Sequence, residues 1–273
     1  WAPAVALAKG GSTGVRVAIG PRGEVHTVWE DVTCFDCPRP IYHSVSSDGG
    51  DSFSKPRVIA KVDPTGHQRV CIGTRRVLNG DMRTQEFPSL AVDTYGDNRY
   101  RGTVYVAFSD RGDGADESDV YMSYLPRGKG DWSKPRKVND DATATDQFFP
   151  EIVSTGPGTF AMAWTDRRED ATVLGPMGNR QMRQYVAFGA DGGADLGKNR
   201  PFSDVPFPPP YSNPNIDPLV SPCYAGDYNG LYSDGASLYS VWADQRDDLL
   251  VTGVPSPVIP DPNVYFRRTP VRP

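Results

Sequence analysis

The sequence predicts an all-β protein built from a repeated antiparallel sheet, and three observations support this fold class. Apolar and polar residues alternate with a period of two along most segments, as they do in strands with one buried face. The 273 residues include 28 glycines and 26 prolines, which suits short strands joined by tight turns. One strand–turn–strand segment recurs four times, so the repeat is the unit of the fold.

Each repeat is marked by its second strand, which ends in an aromatic residue, any residue, and aspartate. The four endings are Trp29-Glu30-Asp31, Phe108-Ser109-Asp110, Trp164-Thr165-Asp166 and Trp242-Ala243-Asp244. A shorter strand precedes each ending and a third strand follows it. We therefore predict a single domain over residues 1–273 with four sheets, at about 14–60, 87–139, 149–203 and 226–268.

A glycine-rich turn follows the third strand of the first repeat. Its residues Ser46, Asp48, Gly50 and Phe53 fit the pattern Ser-x-Asp-x-Gly-x-Ser-Phe. The Asp48 carboxylate can accept hydrogen bonds from backbone N–H groups of its own turn, and the glycines allow a positive φ. We expect Phe53 to pack between sheets. The chemistry of this turn is structural, and we do not expect Asp48 to be catalytic.

This turn resembles the Asp box, the repeated turn of sialidase-like (BNR-repeat) β-propellers. The aromatic-x-Asp-x-Arg endings and the stretch Gly226-Asp227-Tyr228-Asn229-Gly230 are similar to those of bacterial Asp-box proteins. The resemblance covers essentially the whole chain and implies a β-propeller of four-stranded antiparallel blades. Two arrangements stay open: residues 1–8 supply the outermost strand of the last blade and close a four-bladed ring, or the chain is part of a six-bladed ring.

Strand direction divides the loops of such blades between two faces. With strands A to D in each blade, the A–B and C–D turns share one face, and the B–C and D–A loops share the other. The turn at Asp48 belongs to the first face and the strand ending at Asp166 to the second. The two long insertions, residues 61–86 and 197–225, also fall on the second face. We expect function on this B–C/D–A loop face.

The same face carries all the cysteines, which are Cys34, Cys37, Cys71 and Cys223. Disulfides that hold the loops are one interpretation, with three possible pairings. A zinc site is the alternative, because Cys34-x2-Cys37 and His67-x3-Cys71 resemble a Cys3His ligand set. Rim aspartates could also bind calcium, although no segment has the ligand spacing of a dedicated calcium loop. We predict no metal or cofactor as an integral part.

Charged side chains at the strand endings are the first candidates for ligand binding. They are Asp31, Asp110, Asp166, Asp244, Arg111, Arg167, Arg168 and Arg246. In one interpretation each arginine pairs with a nearby aspartate and only joins blades together. In the other, Arg111, Arg167 and Arg246 form a cradle for a substrate carboxylate, because guanidinium groups bind carboxylates with two parallel hydrogen bonds.

The resemblance also implies a set of catalytic residues. Sialidases use an arginine triad, an aspartic acid as general acid, and a tyrosine nucleophile activated by a glutamate. Arg16, in Val15-Arg16-Val17-Ala18, is the nearest match to the family's early Arg-Ile-Pro stretch, but it lacks the proline. Tyr224 and Tyr228 are the candidate nucleophiles. Glu86 and Glu151 are their candidate partners, and Asp166 is a further catalytic candidate.

The functional expectation is an exported propeller, extracellular, periplasmic or at the cell surface. Its loop face recognises carbohydrate or another extracellular ligand, with a glycan or glycoconjugate as partner. One alternative is an exo-glycosidase of the sialidase type, and the other is a non-catalytic protein-interaction module. The chain carries 29 basic and 34 acidic residues with no basic block, so nothing points to nucleic acid. No apolar run approaches the roughly 20 residues of a transmembrane helix. Because the chain opens with Trp-Ala-Pro, we expect a processed piece whose export signal lies upstream.

Overall fold

The computed structural model describes residues 3–71, 75–79, 82–127, 130–170, 181–209, 223–224, 226–250 and 258–271. Its regular structure is β-sheet, with two single-turn 3-10 helices at Arg168–Asp170 and Asp191–Gly193. All strand pairs are antiparallel. The all-β prediction is therefore confirmed. Within the described residues, no helix has the length and apolarity to cross a membrane.

Each of the four repeats forms its own sheet. Sheet 1 contains β1 (Ser12–Ile19), β2 (Val25–Asp31), β3 (Arg39–Ser46) and β4 (Arg57–Val62). A small sheet in the first insertion contains β5 (His67–Cys71), β6 (Arg75–Leu78) and β7 (Met82–Arg83). Sheet 2 contains β8 (Ser89–Val92), β9 (Val104–Asp110), β10 (Asp119–Leu125) and β11 (Arg136–Lys137).

The last two sheets complete the row. Sheet 3 contains β12 (Gln147–Gly156), β13 (Thr159–Asp166), β14 (Arg183–Ala190), β15 (Asp195–Leu196) and β16 (Arg200–Pro201). Sheet 4 contains β17 (Gly230–Ser233), β18 (Ser237–Leu250) and β19 (Val258–Pro270). The first strands of the four sheets, β1, β8, β12 and β17, lie next to one another in that order, so the sheets stand side by side.

Three apolar clusters lie between consecutive sheets and hold them face to face. The first joins Val28 of sheet 1 to Phe108 of sheet 2. The second surrounds Trp164 and Tyr105, and the third surrounds Trp242 and Phe148. Successive side chains of a strand point to opposite faces, so the apolar residues of each alternating segment lie on one face and are buried against the neighbouring sheet.

The outer faces of the two end sheets remain apolar and exposed. Val15, Val17 and Ile19 on β1 are 56–64% exposed, and Val264 and Phe266 on β19 are 80% and 62% exposed. The expected closure by residues 1–8 is not observed: residues 3–9 form no strand, and sheet 4 has three strands in the described part of the chain. Within those residues, the N-terminal segment therefore adds no fourth strand beside β19.

The turn between β3 and β4 has the hydrogen bonds predicted for Asp48. Its carboxylate accepts from the Ser52 backbone N–H at 3.0 Å and from the Ser46 hydroxyl at 2.6 Å. These bonds hold the pKa of Asp48 well below its ordinary value. Gly49 and Gly50 have φ values of +79° and +103°, which only glycine adopts without strain. Phe53 is half-buried.

Candidate functional site

At the strand endings of sheets 3 and 4, each aspartate is hydrogen-bonded to residues of its own strand ending. Asp166 is 1% exposed, and its carboxylate accepts from the Trp164 indole N–H at 2.8 Å. It also accepts from the backbone N–H of Arg168 at 2.8 Å and from its guanidinium at 2.8–3.0 Å. Asp244 repeats this arrangement with Trp242 and Arg246. The carboxylate is thus saturated by two residues of its own strand ending.

Aromatic rings and further carboxylates complete these strand endings. The Arg168 guanidinium lies 4.3 Å from the Tyr185 ring centroid and bonds Asp140. Arg246 lies 4.2 Å from the Tyr265 ring centroid and bonds Asp204. The hydrogen bonds of Arg168 to Asp166 and Asp140, and of Arg246 to Asp244 and Asp204, hold the pKa of both arginines above the ordinary value, although burial opposes this. The expectation of a catalytic Asp166 is therefore corrected, because its oxygens are buried and already bonded.

The arginine cradle expected from Arg111, Arg167 and Arg246 does not form. Arg167 is fully buried, and its guanidinium bonds Asp146 at 3.1 Å and the Asn79 carbonyl at 2.8 Å. Arg111 pairs with Glu117 at 3.0 Å. Each guanidinium thus has its own carboxylate within the protein. The interpretation in which these arginines join parts of the scaffold is the one that fits.

Two further rim aspartates shape local backbone. Asp110 accepts from the backbone N–H groups of Asp63 and Gly112, and burial raises its pKa to about 6. Asp31 accepts from the backbone N–H and the hydroxyl of Thr33. Neither carboxylate meets the other strand-end residues at a shared point, so we assign both to loop structure.

A different cluster gathers side chains from all four sheets. We call Arg16, Ser89, Glu151 and Tyr228 the axial cluster, since they lie on or beside the first strand of each sheet. Arg16 Nη2 lies 2.9 Å from Glu151 Oε1, and the Ser89 hydroxyl donates to Glu151 Oε2 at 2.6 Å. The Arg16 guanidinium carbon lies 5.1 Å from the centroid of the Tyr228 ring. The sequence pointed to three of these four residues as candidates, and Ser89 was missed.

A bulge in β12 places Glu151. The pairing register with β13 shifts between Phe148 and Glu151, and Phe149 has φ +54°. This conformation is unfavourable for a bulky residue before proline, at about 1–3 kcal/mol. Phe149 is held by burial and by an edge contact with Phe148. The bulge changes the direction of the strand just before Glu151, as bulges beside functional sites do.

The environment of Glu151 favours its protonated form. Burial raises its pKa, and the bonds from Ser89 and Arg16 lower it only in part, so the net direction is upward. Tyr228 is 64% exposed. The axial cluster therefore combines a buried carboxyl whose pKa is raised with an exposed phenol beside a guanidinium.

A pocket of about 430 Å³ lies on the loop face, and its lining residues Thr13 and Phe87 are close in sequence to Arg16 and Ser89. We call it the loop pocket, and the residues used below are Glu30, Phe35, Arg39, Arg76, Arg83, Gln85 and Glu86. Arg39 and Arg76 each lie within 6 Å of the Phe35 ring centroid, at 5.9 and 5.8 Å. The pocket thus brings together three guanidinium groups and the rings of Phe35 and Phe87, none of which the sequence assigned to the site.

A buried carboxyl pair forms one wall of the loop pocket. Arg39 Nη1 lies 3.1 Å from Glu30 Oε1 and 2.7 Å from Glu86 Oε2. Glu86 is fixed further by the backbone N–H and hydroxyl of Thr65, both at 2.7 Å. Burial and the Glu86 charge raise the pKa of Glu30, and the Arg39 guanidinium opposes both only in part. A sequence signal existed: the residue before the strand-end aspartate is acidic only in the first repeat.

Arg83 of the loop pocket contacts the segment that carries the two candidate tyrosines. It lies 3.2 Å from Asp227 and 5.2 Å from the Tyr224 ring centroid. The Tyr224 hydroxyl donates to Asp227 at 3.1 Å, and Gln85 also bonds this carboxylate. Burial and the Asp227 charge raise the pKa of Tyr224, which disfavours its phenolate. Of the two candidate nucleophiles, Tyr228 is therefore the better placed.

The cysteines lie around this face. Cys34 and Cys37 form a disulfide, and the carbonyls of Cys34 and Phe35 accept from Arg39. Cys223 is buried and disulfide-bonded, while the side chain of Cys71 lies outside the described residues. The disulfide uses two sulfurs of the alternative zinc set. In the described ranges, no group of three or more His, Cys, Asp or Glu side chains could hold a metal ion.

No protein-family model and no curated protein matches the chain. Solved structures do match in fold. The Hadza microbial sialidase Hz136 aligns with 88% of this chain and 43% of its own, at TM-score 0.50 and 13% identity. The GH93 α-L-arabinofuranosidase of Fusarium graminearum aligns with 94% of this chain and 62% of its own, at TM-score 0.50 and 16% identity. The Penicillium chrysogenum α-L-arabinanase aligns with 95% of this chain and 62% of its own, at TM-score 0.49 and 15% identity.

These similarities support a sialidase-like propeller fold. The chain spans less than two thirds of the length of these structures. Their identity is too low to transfer an activity.

Proposed function

We propose that the chain binds a glycan on its loop face and hydrolyses a glycosidic bond at the axial cluster. The observation that carries the proposal is the convergence of Arg16, Glu151 and Tyr228 from three different sheets. These residues are far apart in sequence, and the pairing of strands within each sheet does not require contact between them. Arg16, Ser89 and Glu151 line a pocket of about 440 Å³, which has room for a sugar unit.

Glu151 is the proposed general acid and base. An acid that works near neutral pH needs a carboxyl whose pKa lies above its ordinary value, and burial acts on Glu151 in that direction. Ser89 and Arg16 each hold one carboxyl oxygen, so the group has a fixed orientation. Arg16 uses one nitrogen for this bond among the described contacts, which leaves guanidinium donors for a ligand oxygen.

Tyr228 is the proposed nucleophile. Tyrosine nucleophiles are a recognised exception among glycosidases, in agreement with the sialidase resemblance. The Arg16 guanidinium carbon lies 5.1 Å from the centroid of the Tyr228 ring and can orient the phenol toward a bound sugar. The Tyr228 side chain is exposed and can therefore meet a sugar directly.

The loop pocket is the proposed position of an acidic or aromatic-stacking sugar unit. Arg76 and Arg83 line it, and Phe35 is 41% exposed. Arg76 pairs with Asp36 and Arg83 with Asp227, so a ligand oxygen would bind beside these carboxylates. Guanidinium groups suit carboxylates because their paired N–H groups match the two oxygens.

Hydrolysis of fluorogenic glycosides tests the function. The panel contains an α-sialoside and an α-L-arabinofuranoside. We expect turnover of at least one, and Glu151→Gln should reduce kcat by about 10²–10⁴-fold. Glu169→Gln is the matched control, because Glu169 also pairs with an arginine of sheet 3, Arg183 at 2.8 Å. An equal loss in both variants, or no turnover at all, would contradict hydrolysis at Glu151.

Carbohydrate recognition without hydrolysis is the second candidate. The loop pocket favours it, since a pocket with three arginines and two aromatic rings can bind a glycan without a catalytic step. Glycan-array binding that is lost in Arg76→Ala, in the absence of turnover, would support it. If neither turnover nor glycan binding occurs, the protein-interaction alternative gains support.

A further inference from the structure

A second cavity lies at the opposite end of the sheets from the loop pocket. Its volume is about 280 Å³, and it lies between sheets 1 and 2. The turns β1–β2, β3–β4, β8–β9 and β10–β11 all contribute to it. We call it the turn-face cavity. It belongs to the face where the Asp48 turn is found, so the proposed glycosidase site does not account for it.

Positive charge in the turn-face cavity exceeds negative charge. Arg22, Arg101 and Arg127 line it, together with a single carboxylate, Glu24. That carboxylate is already committed to Arg22, whose Nε lies 2.7 Å from Glu24 Oε1. Among the described residues, neither Arg101 nor Arg127 has a carboxylate partner. Two guanidinium groups therefore remain without a counter-charge.

Arg101 also has an unmet hydrogen-bond donor. Within the described ranges, its Nη2 donates to the Pro21 carbonyl at 3.3 Å and to no other acceptor. Its Nε is buried and has no hydrogen-bond partner in the described part of the chain. Buried donors are nearly always bonded, so the unpartnered Nε shows that the surrounding described residues do not fully satisfy the Arg101 guanidinium.

The remaining walls are apolar. Val45, Val104, Leu125 and Pro126 line the cavity. At its floor, the Nδ1 atom of His26 lies 3.0 Å from His43, and burial lowers the pKa of His26. A neutral imidazole adds no charge to the two arginines. The cavity thus combines an apolar interior with two uncompensated guanidinium groups.

We propose that the turn-face cavity binds a small organic anion, a carboxylate or a sulfate ester on an apolar body. Arg101 and Arg127 bond the anionic group, and Leu125 and Pro126 contact the apolar part. Guanidinium suits this role because it offers several N–H groups in one plane and stays charged at any physiological pH. A bare inorganic ion would leave the apolar walls without a contact.

Benzoate and benzenesulfonate are suitable probes, and neutral benzamide is the control for shape. Titration of the full 273-residue chain by calorimetry should give saturable binding of both anions and much weaker binding of benzamide. Arg101→Gln and Arg127→Gln should each weaken benzoate by about tenfold or more, the loss of one charged hydrogen bond. Arg99→Gln is the matched control. It removes the same charge from the same turn, but Arg99 pairs with Asp191.

Three results would overturn the proposal: no saturable benzoate binding, equal binding of benzamide and benzoate, or equal weakening by Arg99→Gln and Arg101→Gln. If Arg101→Gln does not fold, Arg101→Lys keeps the charge, removes the planar group, and should still weaken binding. Turnover of the glycosides is measured in the same samples. Because the two sites lie at opposite ends of the sheets, failure of one proposal leaves the other testable.

Discussion

The arginines at the strand endings and Arg16 of the axial cluster both pair with a carboxylate, but the two kinds of pair serve different purposes. Arg168 bonds an aspartate two residues away, stacks on a tyrosine, and leaves its partner 1% exposed. Arg16 bonds a glutamate 135 residues away and stacks on a tyrosine that is 64% exposed. The first pair is complete within one strand ending. The second exists only when the sheets assemble, and it leaves groups open to a ligand.

The difference suggests a general way to separate scaffold from site in this fold. A local pair repeats with the sheet, as Asp166 and Asp244 do, and its energy supports the sheet that contains it. A pair between sheets occurs once and breaks the repeat. Residues that break the repeat are therefore the better candidates for function.

The largest expected effect lies in the scaffold pair. Asp166→Ala leaves the Arg168 guanidinium and the Trp164 indole N–H without their acceptor in a buried position. We expect the free energy of unfolding to fall by about 3–5 kcal/mol, as for other broken buried ion pairs. Urea unfolding measures this loss. Asp131→Ala is the control, because its side chain is 99% exposed beside Arg57. A loss below about 1 kcal/mol for Asp166→Ala would mean that this ion pair contributes no more to stability than an exposed one does.

The second expected effect lies in the site pair and concerns activity. Tyr228→Phe should lower kcat by more than about 100-fold, because it removes the nucleophile. The free energy of unfolding should stay unchanged, since the side chain is largely exposed. Tyr224→Phe is the comparison, and its loss should be much smaller because that hydroxyl is bonded to Asp227. A larger loss in Tyr224→Phe would exchange the roles of the two tyrosines.

Much of the scaffold could be predicted from the sequence because its causes are local. Alternation with a period of two sets the strands, and the turn at Asp48 uses its own hydroxyl, carboxylate and backbone groups. The strand endings were visible for the same reason. Their aspartates were nevertheless considered for catalysis, because sequence does not reveal that Trp164 and Arg168 fill every acceptor position.

The site was less accessible to sequence reasoning. Arg16, Glu151 and Tyr228 were each noticed, but their meeting depends on the packing of four sheets. The bulge that directs Glu151 depends on a strained Phe149, which no local preference predicts. Arg39, Arg76 and Arg83 were missed because they lie beside irregular loops and in a small inserted sheet.

A smaller effect should appear in the pH dependence of stability. In the folded protein the pKa of Glu30 is about 9, against an ordinary value of 4.5, through burial and the Glu86 carboxylate, with Arg39 opposing both. The folded state therefore holds this proton more tightly than the unfolded state. Its contribution to stability is complete below pH 4.5 and is lost as the pH rises through about 9.

Urea unfolding midpoints at several pH values between about 5 and 9 test this prediction. The urea midpoint of the wild type should decrease as the pH rises from about 5 to 9. The midpoint of Glu30→Gln should decrease less, because the amide cannot ionise. Glu169→Gln, at a half-buried pair on the same face, should follow the wild-type curve. Parallel curves for wild type and Glu30→Gln would mean that Glu30 does not hold a proton in the folded state.

The smallest expected effect tests whether the loop pocket belongs with the site or with the scaffold. Phe35 contacts the guanidinium groups of Arg39 and Arg76 and is 41% exposed. If the ring packs against a sugar, Phe35→Ala should raise KM by about fivefold, near 1 kcal/mol, and leave kcat unchanged. Phe35→Tyr keeps the ring and should restore KM. If the ring serves only to hold the arginines, Phe35→Ala should instead lower the unfolding midpoint and leave KM as it was, which would place the loop pocket with the scaffold.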